Sequence, residues 1–301
     1  MEIGRFNLRF RISNLKCLTT MNPIELTLLH DVLLAAIRED VSSGDITSRA
    51  TIPSVARASA RFTTKQPLVT AGTPIAGEMV RLVDQELEFE QVTADGTAAP
   101  VGTVLGEIRG SAQSILTVER TSLNLLQRMC GIATLTRQYV DRVKGTRARI
   151  VDTRKTAPGL RILDKYAVAC GGGMNHRMGL FDGVLIKNNH LAFHSSVADA
   201  VNEARRRLGH LVKIEVEVRS FDELRNALGA GADVVLLDNF TPEQTRKAVE
   251  IVAGQIPIES SGGITLETVR EFAEAGVDYI SIGALTHSVP AADIHLRVTP
   301  Q

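Results

Sequence analysis

Cysteine, net charge and long apolar runs are all scarce in this chain. Cys17, Cys130 and Cys170 are its only thiols in 301 residues. They cannot build a disulfide framework, and none forms a C-x-x-C pair. A reducing, cytoplasmic setting is therefore expected. Lysine plus arginine number 34 and aspartate plus glutamate 34, so the net charge is zero. General nucleic-acid binders carry a basic excess, so nucleic acid is not an expected partner. A local cationic pocket stays open. No apolar run approaches the ~20 residues that cross a bilayer, so no membrane partner is expected either. No Ser-His-Asp set, thiol pair or metal-ligand cluster stands out, and no protein-held metal site is expected.

What is present is organised in two styles. Arg5, Arg9, Arg11 and Lys16 make the start basic and acid-poor. A transit peptide is one reading; a disordered extension over 1–22, ahead of a second start at Met21, is the simpler one. From Pro23 to Arg38, Leu26, Leu29, Val32, Leu33, Ala36 and Ile37 recur at helical spacing. Residues 56–110 hold short apolar runs between Gly and Pro, as in strands of a small α+β unit. A long helix is expected over Ser114–Gly131.

Beyond about residue 145, strand-like runs alternate with helical stretches. The expected strands are Arg149–Val151, Gly183–Ile186, Val212–Val218, Asp233–Leu237, Pro257–Glu259 and Tyr279–Ile282. Ser220-x-x-Glu223 and Thr241-Pro242-x-Gln244 read as capping boxes, and Gly229 and Gly276 as helix stops. Such alternation predicts a parallel sheet, closed into a barrel or open and doubly wound. A barrel would place function at the carboxyl ends of its strands. There the sequence has Arg154–Lys155, Lys187, Glu217, Asp238, Ser261–Gly263 and Gly283. Polar or glycine residues at every end favour one face of a barrel.

Several of these ends carry chemistry. Arg154 offers a planar fork for a carboxylate and Lys155 a point charge for phosphate; a solvated loop is the alternative. Pro158 is expected to open a helix behind them. Gly171-Gly-Gly frees the backbone for a tight turn or a close ligand, and His176 and Arg177 add donors; a flexible loop would look similar. Lys187 could bind an anion or form a Schiff base, and the surrounding cations favour the anion. Lys213, Glu215 and Glu217 alternate with Ile214, Val216 and Val218. In a barrel that charge points inward and must be paired; on an edge strand it would face water. Glu217 and Asp238 suit ribose hydroxyls or a divalent cation. Ser261-Gly262-Gly263, read as running into a helix, and Gly283 suit a phosphate cradle. Glu119 and Arg120 read simply as helix surface. Taken together, the ligands are anions, at least one a sugar phosphate. Phosphoribosyl transfer fits, because positioning and charge supply most of its catalysis.

The motifs resemble those of the quinolinate phosphoribosyltransferase (nicotinate-nucleotide pyrophosphorylase, carboxylating) family. The resemblance rests on Gly44-Asp45-Ile-Thr47, Glu119-Arg120-x-x-x-Asn124, Asp152-Thr-Arg-Lys-Thr-x-Pro-Gly-Leu-Arg161, Gly172-Gly-x-Asn175-His176-Arg177, Ile186-Lys187-Asn-Asn-His190, Glu215-Val-Glu217, Leu237-Asp238-Asn239, Ser261-Gly-Gly-Ile264 and Ser281-Ile-Gly283. It implies an N-terminal α/β sandwich-like domain and a C-terminal incomplete or open α/β barrel of about six strands. The corresponding boundaries are 23–132, with 288–301 returning to it, and 133–287. The resemblance also implies a homodimer or higher even oligomer with a shared site, to which Arg120 is lent by the partner. Arg120, Arg154, His176, Arg177 and Lys187 would bind the two carboxylates of quinolinate. Lys155 would serve the pyrophosphate of phosphoribosyl pyrophosphate, Glu217 and Asp238 the ribose hydroxyls, and Ser261, Gly262, Gly263 and Gly283 the 5′-phosphate. Catalytic roles fall to Lys155, Lys187, Glu217 and Asp238, with Mg²⁺ carried on the pyrophosphate. The implied reaction joins the pyridine nitrogen to ribose and then loses CO₂, giving nicotinate mononucleotide, a step in NAD synthesis. Another pyridine-like acid as acceptor, a barrel related to the molybdate-operon homologue, a Schiff-base aldolase using Lys187, and a phosphosugar sensor without turnover are the alternatives.

Overall fold

A computed structural model of the chain describes residues 23–301, with side chains from Thr27 onward. The expected extension over 1–22 and the side chain of Leu26 lie outside the described residues.

The first half builds an antiparallel sheet under helices. Helices α1 (Pro23–Val41) and α2 (Ile46–Thr51) precede strand β1 (Arg57–Thr64). Then come β2 (Leu68–Val69), α3 (Thr73–Val83), β3 (Glu88–Gln91), β4 (Ala98–Ala99), β5 (Val104–Ser111) and α4 (Ala112–Arg142). In β1, Ala58, Ala60, Phe62 and Thr64 are buried and alternate with wetter residues, the period-2 pattern of a sheet with one wet face. Helix α4 runs on past Gly131, where an earlier end was expected. A Cβ at Gly131 would sit 2.3 Å from the carbonyl oxygen of Pro290. This glycine serves a close crossing and does not stop the helix.

The second half is a parallel barrel with one open seam. Its strands are β6 (Arg149–Val151), β7 (Val184–Ile186), β8 (Ile214–Val218), β9 (Val234–Asp238), β10 (Ile258–Ser261) and β11 (Tyr279–Ser281). Between them lie α5 (Arg161–Cys170), α6 (Asn188–Leu191), α7 (Val197–Arg207), α8 (Phe221–Gly229), α9 (Pro242–Val252) and α10 (Val269–Glu274). Helix α11 (Ala284–His287) follows, and β12 (Ile294–Pro300) pairs antiparallel with β1 in the first sheet. The barrel order is β6-β11-β10-β9-β8-β7. Sequence neighbours pair all round this ring, except β6 with β7. An open doubly wound sheet would instead reverse its strand order.

Several local expectations are corrected. Strand β8 is paired on both sides and buried throughout, so it is not a wet edge. Lys213 lies outside it and is exposed. Helix α5 starts at Arg161, because Pro158 and Gly159 (φ +79°) form a turn closed by Leu160 N–H to the Ala157 carbonyl. The left-handed stop after α8 is Gly231 (φ +75°), not Gly229. Thr241 and Gln244 make the full capping box, whereas Glu223 accepts from Arg219 N–H instead of the Ser220 N–H. Ser261-Gly262-Gly263 leads into a turn, and the helix begins only at Val269.

Candidate active site

Register places the polar strand ends in one row. Asp238, Ser261 and Ser281 are direct partners across β9, β10 and β11, and Ser281 partners Val151 of β6. The chain just beyond this row holds Arg154 and Lys155, Gly262 and Gly263, and Gly283. Lys187 and Arg219 follow β7 and β8 directly.

One side of the rim is a glycine cradle. Gly262 (φ +99°) and Gly263 (φ +62°) are both left-handed. A Cβ at Gly262 would meet Asn239 Oδ1 at 2.2 Å, whereas nothing lies within 4 Å of one at Gly263. Only glycine satisfies both positions without strain, and Gly263 leaves its backbone open to an approaching ligand. At Gly283 a Cβ would come within 3.0 Å of Lys155 Cδ and 3.1 Å of the His287 ring. Lys155 therefore reaches over this glycine, and its carbonyl accepts from Thr286 Oγ1 at 2.8 Å. His287 was missed in the sequence because it falls past the strand end, on α11.

The central carboxylates are held by cations. Glu217 lies 3.3 Å from Lys187 Nζ and 3.6 Å from Arg219. Arg219 Nε donates to Asp238 Oδ2 at 3.0 Å. Arg219 was also missed, although reading one residue past β8 finds it.

The opposite side gathers arginines. Arg177 donates to the Gly183 carbonyl at 2.8 Å. Burial, then the charge of Arg154, pulls the Arg177 pKa down, which records two cations facing each other. Arg161 donates to Thr156 Oγ1 at 3.0 Å and to the Met178 carbonyl at 3.2 Å, tying the two arginine-bearing loops together. Arg128 on α4 forks onto Asp164 with two 2.8 Å bonds and reaches the Thr286 carbonyl at 2.9 Å. Neither Arg128 nor Asp164 carries a local sequence signal. Arg120, eight residues earlier and so about 12 Å up the helix, is exposed. No hydrogen bond or ion pair joins it to the other predicted residues.

Beneath the rim sits a buried acidic group. His176 Nε2 lies 3.0 Å from Glu215 Oε2 and 3.7 Å from Glu259 Oε2. Its Nδ1 accepts from Arg177 N–H at 2.7 Å. Both ring nitrogens thus already face protein groups, so His176 is less free a donor than its sequence position suggests. Burial disfavours the imidazolium, but the Glu215 hydrogen bond and the Glu259 and Glu215 charges outweigh it and leave the pKa raised. Glu259 is pushed up to about 7, first by burial and then by the charge of Glu215. The ligand atoms of His176, Glu215 and Glu259 all lie within 4.8 Å of one another, close enough to hold a metal ion. A separate cavity of about 160 Å³, lined by Glu88, Phe89, Glu90, Glu107 and Arg109, lies on the antiparallel sheet away from these groups.

The chain resembles known proteins over most of its length. Residues 45–130 match the family model for the quinolinate phosphoribosyl transferase N-terminal domain, and residues 132–297 that for its C-terminal domain. A probable nicotinate-nucleotide pyrophosphorylase (carboxylating) from Bacillus subtilis is 44% identical over 261 residues, covering 87% of this chain and 90% of its own. The nicotinate-nucleotide pyrophosphorylase (carboxylating) of Mycobacterium leprae is 42% identical, over 92% of this chain and 99% of its own. A crystal structure of NadC from Streptococcus pyogenes superposes with a TM-score of 0.88 at 38% identity, covering 93% of this chain and 99% of that one.

Proposed function

The chain belongs to the quinolinate phosphoribosyltransferase family, and from that premise we propose that it transfers phosphoribose from phosphoribosyl pyrophosphate to quinolinate, with decarboxylation to nicotinate mononucleotide. The observation that carries the reading is the polarity of the rim. Arginines and Lys187 lie on one side, the glycine cradle on the other, and two carboxylates between them. That order fits a dicarboxylate, a ribose and a phosphate laid end to end.

In this arrangement Gly262, Gly263 and Gly283 offer backbone to the 5′-phosphate, and Ser261 stands beside them. Glu217 and Asp238 accept from the ribose hydroxyls, and their negative charge favours the oxocarbenium character that develops at C1. Lys155, reaching over Gly283, faces the departing pyrophosphate. Arg154, Arg177 and Lys187 fix the pyridine dicarboxylate so that its nitrogen faces C1. His176 backs the same pocket, its ring oriented by Glu215. Bond formation makes the nitrogen cationic, and that charge stabilises the carbanion left as the adjacent carboxylate departs as CO₂; a proton from solvent then takes the place of the lost carboxylate on the ring. The hard oxygens of Glu217 and Asp238 fit Mg²⁺ arriving with the pyrophosphate. Its charge would offset that of the leaving group.

A Schiff-base role for Lys187 is disfavoured. It is half-exposed and ion-paired with Glu217, the reverse of the dry setting that activates such a lysine. We further propose a homodimer whose partner lends Arg120, which would explain an exposed arginine that has no ionic partner among the described residues and lies beside family site motifs. The scarcity of cysteine, three in 301 residues, suits a cytoplasmic, reducing setting. Among the described residues no helix is long and apolar enough to cross a membrane.

Purified protein given quinolinate, phosphoribosyl pyrophosphate and Mg²⁺ should release CO₂ and pyrophosphate in equal amounts. Pyrophosphate release with nicotinate but not quinolinate would overturn the acceptor assignment. Mixing an Arg120→Ala chain with a Lys187→Ala chain should restore activity. No recovery despite subunit exchange would remove the shared site.

A further inference from the structure

The barrel's open seam is held by a buried ion pair where a strand would otherwise pair. At the β6 edge, Met174 makes a single parallel bridge with Val151. Its N–H reaches the Ile150 carbonyl at 2.9 Å, and its carbonyl accepts from Asp152 N–H at 3.1 Å. A continuing ladder would next pair the N–H and carbonyl of His176 with the backbone beyond Asp152. Both groups turn to side chains instead. The His176 N–H donates to Asp152 Oδ1 at 2.8 Å, and its carbonyl accepts from Lys165 Nζ at 2.9 Å. Lys165 Nζ also pairs directly with Asp152 Oδ1. Asn175 Nδ2 completes the group, donating to Asp152 Oδ2 at 2.7 Å and to the Lys165 carbonyl at 2.9 Å. The side chains of Asp152 and Lys165 are 0% and 1% exposed.

Buried ion pairs are poor stabilisers, because desolvation offsets their attraction, and apolar pairs of similar volume serve stability as well. What this pair adds is geometry. It clamps the peptide of His176 from both sides, one residue before Arg177, and does so from a carboxylate two residues before Arg154. We infer that Asp152 and Lys165 are positioning residues that set the register between the two arginine-bearing segments of the acceptor pocket. The inference rests on the quinolinate reading of that pocket. A slip of one residue along the seam would carry Arg177 about 3.3 Å, beyond hydrogen-bonding tolerance. The phosphate cradle hangs on β10 and β11, which stay laddered to β6 itself, so a slip of the Met174–Arg177 segment along β6 would not carry the cradle with it.

The test is the double variant Asp152→Asn, Lys165→Met, which removes both charges together and leaves neither buried alone. Its KM for quinolinate should rise roughly 10- to 100-fold, the usual effect of an ångström-scale misplacement. Its KM for phosphoribosyl pyrophosphate should stay within about twofold of wild type, since a purely structural role would move both together. Amide exchange at His176, read without any substrate, should accelerate at least about tenfold. That second readout keeps the inference testable should wild type itself fail to use quinolinate. A folded double variant with unchanged quinolinate KM, or with His176 exchange as slow as wild type, overturns it. Should the double variant not fold, Asn175→Ala takes its place. It removes one arm of the clamp and should raise the quinolinate KM alone by roughly threefold to tenfold; no change there also overturns the inference.

Discussion

The two sides of the barrel rim present opposite constructions for the same task of binding anions. Across β9, β10 and β11 the ladder is continuous, and the cradle is made of backbone at glycines that tolerate no side chain or offer open space. At the seam between β6 and β7 the ladder is missing, and the arginines ride on loops held by Asp152, Lys165, Asp164 and Arg161. The first side is specified by sterics and should fail when a methyl group is added. The second is specified by charge and should fail when a charge is removed.

The largest effect should come from Gly262→Ala. Its Cβ would fall 2.2 Å from Asn239 Oδ1 at a φ of +99°. Strain of about 3 kcal/mol should weaken phosphoribosyl pyrophosphate binding roughly 100-fold and lower the Tm. Isothermal titration and a melting curve would check both, and unchanged values would mean the cradle is not rigid. Arg177→Ala should come next, raising the KM for quinolinate roughly 10- to 100-fold by the loss of a charged hydrogen bond, with its Tm near wild type. An equal rise in both KM values would erase the contrast between the two sides.

Glu259→Gln sharpens the comparison through pH. The Glu259 carboxyl sits at about 7 in the folded protein against 4.5 ordinarily. The folded state therefore holds its proton more tightly than the unfolded chain does. That contribution to stability is fully present below the ordinary value and is lost as pH rises through the folded one. Gln cannot ionise, so the Tm of the variant relative to wild type should climb between about pH 5 and about pH 8. A flat difference would show that Glu259 is ionised throughout. Gly263→Ala should have the smallest effect. It meets no atom within 4 Å but keeps φ at +62°, so a loss of about fivefold in phosphoribosyl pyrophosphate affinity is expected, from about 1 kcal/mol of backbone strain. An effect as large as that of Gly262→Ala would point to ligand contact at that position.

Local patterns carried much of this in advance. All six barrel strands lie within two residues of their expected places, because apolar runs and turn residues are short-range signals. The strand-end rule located Arg154, Lys155, Lys187, Glu217, Asp238 and Ser261 together, and register does bring Asp238 and Ser261 side by side. Gly131 misled because a glycine in a helical run looks alike whether it ends the helix or admits a crossing chain. Lys165, Arg128 and Asp164 were illegible for a related reason. On a helix they look like ordinary surface charge until the packing partner is known.

By itself, then, the sequence determined the element types, the alternation that makes a parallel barrel, and the charges and glycines at its strand ends. These follow from periodicity and backbone sterics, which act over a few residues. Only the tertiary structure decided where the barrel stays open, which cation answers each buried carboxylate, and that His176 turns both ring nitrogens toward protein. Those outcomes depend on groups separated in the chain, such as Asp152 with Lys165 and His176 with Glu215, whose pairing exists only once burial removes the water that would otherwise separate them.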